Sequence, residues 1–434
     1  MLPPQPLRMS RFSHPHELPK GQERTLLFVL GAVQFTHILD FMIMMPLGAQ
    51  LMQAFAITPA KFSQLVASYG IAAAMSGLAG GFLLDRFDRK RALLVLYAGF
   101  GLATLACALA PTYHLLLLAR LAAGACGGLS SSLVTAMLGD FIPPERRGRA
   151  MAFVAASFPV ASILGVPLGL VLAGRFGWHA AFFFLAACAV ANLVIASIAL
   201  PHLRTALQNH EPWQQMKEIM SHGVHLRAFA LGAMVGLSGG ILVPFLAPSF
   251  VANLGLNEQT ELPIVYIVGG LATAMSTPMI GWLSDHMDRL RLLIYVSAGA
   301  AIITIIIMRL GPSSVALASL MMALFMVSMS GRYAPAMTMI TNAVEARYRG
   351  GFMSINSALQ LAANAAASML AGWFVTRDAH GHFLGLPLLS YLATAFLALM
   401  VFFALRLRDA APHVAWHAKK DIAPAPPPPE IAAV

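Results

Sequence analysis

The residues best placed to do chemistry in this chain are a few polar side chains set in apolar sequence. Asp40 stands in Thr36-His37-Ile38-Leu39-Asp40-Phe41-Met42, inside a run that holds no other acid or base apart from His37. A carboxylate midway along a membrane-spanning helix costs ~3 kcal/mol on insertion scales, so it needs a partner, water or a proton, and such residues mark ion or proton routes. No other acid lies well inside an apolar segment. Arg120 lies in a second apolar run at a depth, counted at ~1.5 Å per residue, that long side chains could bridge to Asp40. Pairing keeps the carboxylate ionised, separation lets it take up a proton, and a change of access to the pair could load and unload one proton. His37 carries a ring suited to titration near neutral pH. Gln34, His37 and Phe41 share roughly the face of Asp40 by helical spacing.

A second group of polar residues lies later in the chain. Asn356, Gln360 and Asn364 recur every four residues and make one polar stripe, which a helix in lipid must turn toward protein or water. Arg332 lies in the preceding apolar run, where no acid accompanies it. With Tyr69, in the middle of an earlier run, these residues could form the polar side of a substrate cavity. Enzymatic chemistry finds no support, because no nucleophile, base and orienting group converge in any recognisable motif. The pairs His14/His16, His222/His225 and His380/His382 lack a Cys or a helical Glu at ligand spacing, so no metal site is expected. Cys107, Cys126 and Cys188 all fall in apolar runs and read as small packing residues, not as a disulfide framework.

The elements that must position these groups follow from composition. Of 434 residues, 58% are hydrophobic and 11% charged, which describes a chain whose solvent is lipid. Twelve apolar segments of roughly 20 residues begin near positions 26, 61, 92, 113, 149, 178, 227, 261, 291, 313, 350 and 385. They divide the chain into a tail at 1–25, six spans over 26–200, a linker at 201–226, six spans over 227–408 and a Pro-rich tail at 409–434. The formal net charge of +10 does not indicate nucleic acid, since most of the 28 Lys and Arg residues sit in connections on one side. Lys61, Arg175, Arg309 and Arg377 fall on the other. This bias predicts both termini in the cytoplasm, with no signal peptide in the polar, Pro- and His-rich start. In the linker, Trp213, Met216 and Met220 beside Lys217 and Glu218 suit a short amphipathic helix at the membrane interface, or a plain tether. The run Pro424 to Pro429 has too little apolar side chain to pack.

The chain also repeats itself. Gly81-Phe-Leu-Leu-Asp85-Arg86-Phe-Asp88-Arg89-Lys90-Arg91 returns as Gly281-Trp-Leu-Ser-Asp285-His286-Met-Asp288-Arg289-Leu-Arg291, and Glu145, Arg147 and Arg149 return at Glu345, Arg347 and Arg349. Two matches at one offset argue for duplicated halves. The repeated stretch resembles the loop between helices 2 and 3 of the major facilitator superfamily, G-x-x-x-D-[RK]-x-G-[RK]-[RK], with Asp88 and Asp288 standing where the family has its second glycine. Arg120-Leu-Ala-Ala-Gly124-Ala-Cys-Gly127-Gly128 resembles the R-x-x-x-G-x-x-x-G pattern linked to proton coupling in that superfamily. Gly165, Pro167 and Gly169 resemble in part the G-x-P-x-x-G element of its drug:proton antiporters. Phe176-Gly177-Trp178-His179 is similar to these exporters too, with Trp178 expected as an interfacial anchor.

The resemblance implies an all-α membrane protein of twelve helices in two pseudo-symmetric six-helix bundles. Its first and fourth spans would place Asp40 and Arg120 on one central cavity, with Gly81, Asp85, Arg86, Asp88, Arg89, Lys90 and Gly281, Asp285, Asp288, Arg289 as conformational switches and Gly165, Pro167, Gly169 as a pivot. The implied function is export of a small drug-like, amphiphilic or sugar-like solute by proton antiport, without cofactor, by a monomer in a bacterial-type inner membrane. A cavity with one acid and few charges fits lipophilic or neutral solutes better than multiply charged ones. Two rivals remain open: a facilitator or importer in which Asp40 and Arg120 only fix packing, and a transporter-like receptor or scaffold signalling through the Pro-rich tail. G-x-x-x-G pairs at Gly77/Gly81, Gly124/Gly128, Gly165/Gly169 and Gly236/Gly240 should supply close helix contacts in any of these.

Overall fold

A backbone in lipid has only its own groups to bond, so long apolar runs must be helices. The computed structural model describes residues 19–83, 87–200, 212–345 and 348–411. Residues 1–18 with the His14/His16 pair, Asp85, Arg86, Arg347 and residues 412–434 lie outside the described residues; the first helix begins at Lys20, within the expected tail at 1–25, and the last ends at Ala410. In chain order the helices are α1 (Lys20–Ile43), α2 (Gly48–Ala54), α3 (Pro59–Leu83), α4 (Arg89–Ala108), α5 (Tyr113–Phe141), α6 (Pro144–Ala155), α7 (Ser157–Val160), α8 (Val166–Phe176), α9 (His179–Ala199), α10 (Pro212–Ser221), α11 (Gly223–Gly240), α12 (Val243–Ala252), α13 (Leu262–His286), α14 (Arg289–Ile307), α15 (Val315–Asn342), α16 (Arg349–Phe374) and α17 (Leu386–Ala410). A two-stranded hairpin, β1 (Thr376–Arg377) against β2 (Phe383–Leu384), joins the last two helices.

Twelve membrane crossings result, six in each half. Eleven are long and apolar enough to be recognised by composition alone. The twelfth, α16, is equally long but carries the polar stripe of Asn356, Gln360 and Asn364. Large apolar side chains such as Val95, Leu102, Ile198 and Met275 lie exposed on the outer faces, as a lipid-facing surface requires.

The repeated stretch turns out to cap helices. The Asp88 side chain accepts the Arg91 backbone N–H at 2.9 Å at the start of α4, and Asp288 accepts that of Arg291 at 2.9 Å at the start of α14. Both sit in extended backbone at negative φ, so neither position needs the freedom of glycine. The replaced glycine is an N-cap in each half.

Several crossings are interrupted. The first runs through α1, breaks at Met44–Leu47 around Pro46, and resumes as α2. Its counterpart is α11, a break at Ile241–Leu242, and α12 with Pro244. The fifth crossing holds a π-helical turn, Ala161–Gly165, between Pro159 and Pro167. Each proline removes a backbone donor, which widens the turn between them. Gly165 and Gly169 are seated on Leu39 and Ile43 of α1, whose side chains would stand 2.8 and 2.5 Å from an added Cβ. The π turn itself touches the other half, since a Cβ on Gly270 of α13 would meet Ile163 at 2.8 Å.

Calling the end that carries Pro19 and Ala411 the near end, the buried apolar side chains form one core at the far end and two at the near end. The far-end core draws on both halves, from Leu47, Phe62 and Phe182 to Phe245, Phe250 and Leu389. At the near end, Leu26, Tyr97 and Met137 belong to a core of the first half, and Phe229, Met339 and Phe352 to a separate core of the second. Trp178 belongs to the far-end core, packed against Phe55 and His179, so it is buried and not an anchor at the lipid surface. The linker does contain a helix, α10, but it docks on the second half: Ile219 is buried there and Glu218 accepts a hydrogen bond from the Tyr348 hydroxyl at 3.1 Å.

Close approach of α3 and α5 rests on missing side chains. A Cβ at Gly128 would meet the Ala73 carbonyl and stand 2.6 Å from Ser76 Oγ, whereas one at Gly139, on the same helix, would meet nothing within 4 Å. Gly128→Val is therefore expected to destabilise the folded protein by about 1–3 kcal/mol through overpacking, and Gly139→Ala to leave it unchanged or slightly firmer. Unfolding midpoints of the two variants in detergent check this.

Candidate functional site

Asp40 lies in the last turn of α1, three residues before the helix stops at Ile43. The carbonyls of a final helical turn lose their own donors and attract cations. Arg120, from α5, answers both needs: its Nη1 donates to Asp40 Oδ2 at 2.6 Å and to the Asp40 main-chain oxygen at 3.3 Å. Both side chains are fully buried. The guanidinium lies 4.7 Å from the centre of the Tyr69 ring, from α3, which in turn stands 5.9 Å from Phe41. Among the described residues, Asp40 Oδ1 and Arg120 Nε and Nη2 have no hydrogen-bond partner. The pair is thus bonded through one arm, with hydrogen-bonding capacity to spare on both partners.

Glycines on α5 bring these groups together. Gly124 sits against the Tyr69 carbonyl, and a Cβ at Gly127 would stand 2.5 Å from the Tyr69 hydroxyl and 3.2 Å from His37 Nδ1. His37 packs edge-on to Phe100 at 4.2 Å and Tyr97 at 5.7 Å between ring centres, and neither ring nitrogen has a partner among the described residues. Gln34 is half-buried one turn before it.

The second polar group assembles on the other side of the seam between halves. There Gly70 of α3 meets α16, with Ala365 Cβ 3.1 Å from an added Cβ. Tyr69 and Asn364 are the neighbours of these two residues in sequence, so each polar group borders the same seam. Gly232, Gly236 and Gly240 of α11 seat Asn356, Gln360 and Asn364 in succession, with backbone approach at the last two. Arg332 of α15 is buried, and its Nη2 lies 3.6 Å from where a Gly239 Cβ would be, close to the Asn364 amide nitrogen at 3.9 Å from the same point. The stripe on α16 and Arg332 therefore share one place, while Asn356 lies two turns nearer the termini.

Among the described switch residues, Arg89, Lys90 and Asp288 make contacts within their own halves. Arg89 pairs with Asp140 at 3.0 Å, a partner 51 residues away that no local pattern could flag. Lys90 donates to the Ser197 and Leu200 carbonyls and so closes the end of α9. Asp288 pairs with Arg408 at 3.4 Å. Asp285 is exposed, Gly281 meets no neighbour within 4 Å of its Cβ position, and Arg289 is half-buried beside them.

The far end is where the halves are sealed. Gly48 lies under Phe62 of the first half and Pro248 of the second, with Cβ distances of 2.6 and 2.7 Å, and Ser63 fits against Gly372. The connection after α12 adds a titratable group that sequence reading passed over. Asn257 orders this loop, its Oδ1 accepting the N–H groups of Gln259 and Thr260 at 2.8 and 3.1 Å, while Gln259 packs on Gly174 of α8. Glu258 is thereby pressed onto α2. Burial raises its carboxyl to about 7, and a hydrogen bond from Gln50 acts in the opposite direction.

These features match a known architecture. A family model for the Major Facilitator Superfamily matches residues 30–360. The chain belongs to that superfamily. It is 29% identical over 199 residues to the multidrug resistance protein B homolog of Mycobacterium tuberculosis (strain CDC 1551 / Oshkosh), covering 46% of this chain and 37% of that one. It is 25% identical over 305 residues to the gallate transporter of Pseudomonas putida, covering 61% and 67%. Against several curated relatives the match spans only 37% to 44% of their length. The fold is similar to the crystal structure of a D-xylose-proton symporter, with a TM-score of 0.72 and 16% identity over 92% of this chain and 100% of that one. Its helices long and apolar enough to cross a membrane agree with a multi-pass membrane protein of that superfamily.

A carboxyl whose pKa is higher when docked than in water binds its proton more tightly in the docked arrangement. Sealing of the far end is thus favoured at low pH and weakened as pH rises through about 7. The facing helix α2 has no charged residue, and Glu261 accepts the Asn257 N–H at 2.7 Å. Maleimide labelling of Ser63→Cys, in a background lacking the three native cysteines and normalised to an exposed control, is expected to increase from pH 6 to pH 8. Glu258→Gln should flatten the profile at the low-pH level.

Proposed function

We propose that this transporter exports a small organic solute by proton antiport, through alternating access, from a bacterial-type cytoplasmic membrane with both termini inside. The observation that carries the reading is the fully buried Arg120–Asp40 pair held at the broken end of α1. Arginine keeps its charge in proteins, and separating a buried ion pair leaves an uncompensated charge that costs several kcal/mol. A protonated Asp40 can leave without carrying a charge of its own, provided that Arg120 is then met by water or another acceptor. Proton uptake and rearrangement of α1 against α5 are then one event, as coupling to a proton gradient requires.

Further support comes from the shape. With the termini inside, the core shared by both halves lies toward the outer face, while each near-end core draws its buried residues from one half. The name of the mycobacterial relative, a multidrug resistance protein homolog, favours export of drug-like or amphiphilic compounds over import. No cofactor is required, since the proton is the coupling ion.

The test is transport in proteoliposomes with an imposed pH gradient. Wild-type protein is expected to move solute outward against protons moving inward. Asp40→Asn should abolish uphill transport while solute exchange continues, because an amide does not titrate. Uphill transport by Asp40→Asn at the wild-type rate would make the pair a packing element, and flux indifferent to the gradient would favour a facilitator.

A further inference from the structure

Arg120 and Arg332, both buried deep within crossings, are treated differently. Arg120 is matched by Asp40 at 2.6 Å. Arg332 is 3% exposed, lies in a crossing of the second half, and no acid accompanies it. Its Nε has no hydrogen-bond partner among the described residues, and its Nη2 meets the sulfur of Met329 on its own helix. A cation this deep in a membrane protein is costly and is retained for a function.

The surroundings say what the function is. Gly239 of α11 has no side chain at the point on which the Arg332 guanidinium and the Asn364 amide converge. One turn away, the Gln360 amide nitrogen lies 3.8 Å from the Met337 sulfur. The place therefore offers N–H donors, a fixed positive charge and soft thioether walls; α11, α14, α15 and α16 contain no acid, and the carboxylates within α13 and α17, Asp285 and Asp409, stand at their near ends. A planar guanidinium with free donors is built to take a carboxylate side-on. Methionine sulfur favours the edge of an aromatic ring.

We propose that Arg332, with Asn364 and Gln360, is the anion anchor of the substrate site, and that the transported solutes include organic monocarboxylates carrying an apolar or aromatic body. The inference rests on the transport reading above but not on its direction or its coupling. It also sharpens the expectation of neutral solutes: with Arg120 neutralised internally, the interior has one positive charge to spare, which a single carboxylate completes.

Binding, not transport, tests it. Benzoate is the probe and benzamide its neutral counterpart of the same shape, titrated into purified full-length protein in detergent and followed by thermal shift and calorimetry. Benzoate is expected to bind and benzamide to bind at least tenfold more weakly. Arg332→Met should lower benzoate affinity about ten- to hundredfold, the range for a lost charged hydrogen bond, while Arg332→Lys recovers part of it. Gly239→Val, which fills the convergence point and leaves Arg332 in place, should weaken benzoate as well and guards against misfolding of the first variant. Equal binding of benzoate and benzamide, unchanged benzoate affinity in both Arg332→Met and Gly239→Val, or no binding of benzoate, hexanoate or salicylate by the wild type would each overturn the proposal. Benzoate binding through Arg332 in a protein whose flux ignores a pH gradient would refute proton antiport and leave this site standing.

Discussion

How closely two helix backbones can approach in the absence of water governs this structure. Lipid offers no hydrophobic drive for helices to associate, so contact must come from surfaces smooth enough to meet. Gly124 and Gly128 of α5 meet the Tyr69 and Ala73 carbonyls of α3 directly. Arg120 is one turn from Gly124, so the contact that joins the helices also fixes the guanidinium over the Tyr69 ring and in reach of Asp40. A bulkier α5 would displace the ion pair as well as the packing. The motif that begins with Arg120 and continues through two glycines is thus one physical unit: the glycines set the distance and the arginine uses it.

The halves solve the same problem with the roles exchanged. In the first half the glycines sit on the fifth crossing, where Gly165 and Gly169 take Leu39 and Ile43 of α1. In the second they sit on α11, where Gly232, Gly236 and Gly240 take the polar stripe of α16. Pseudo-symmetry holds for the backbone path, down to paired breaks after α1 and α11 and paired Asp caps on α4 and α14. It does not hold for the interior chemistry.

Sequence reading reached the fold because its signals are local and strong. Twelve apolar runs, the repeat near residues 81 and 281, and the rarity of Asp40 are all visible without knowing what touches what. Asp88 was legible as a departure from a family pattern but not as a cap, since capping depends on backbone angles that the pattern does not encode. The breaks at Met44–Leu47 and Ile241–Leu242 hide within continuous apolar sequence. Trp178 follows a compositional rule for interfaces, yet its ring is claimed by Phe55 from another crossing. Asp140 as partner of Arg89, the docking of Glu258 on Gln50, and the seam at Gly70 and Ala365 are all long-range meetings. Periodicity places a residue on a face; it does not say which face of which helix lies opposite.

The difference in interior charge has a consequence for how one protein could couple two events. Ion pairs in a dry interior resist change, because each partner alone is poorly solvated. The first half encloses such a pair, complete within the protein and able to change only when a proton arrives. The second half encloses an arginine with no such partner, complete only when something else brings the negative charge. Both groups border the contact of α3 with α16, through Tyr69 on one side and Asn364 on the other. A change of charge on either side of that seam alters the field felt across it, at distances where a low-dielectric interior screens little. The two halves need not depend on a mechanical relay alone, since charges on neighbouring helices also act on one another through their fields.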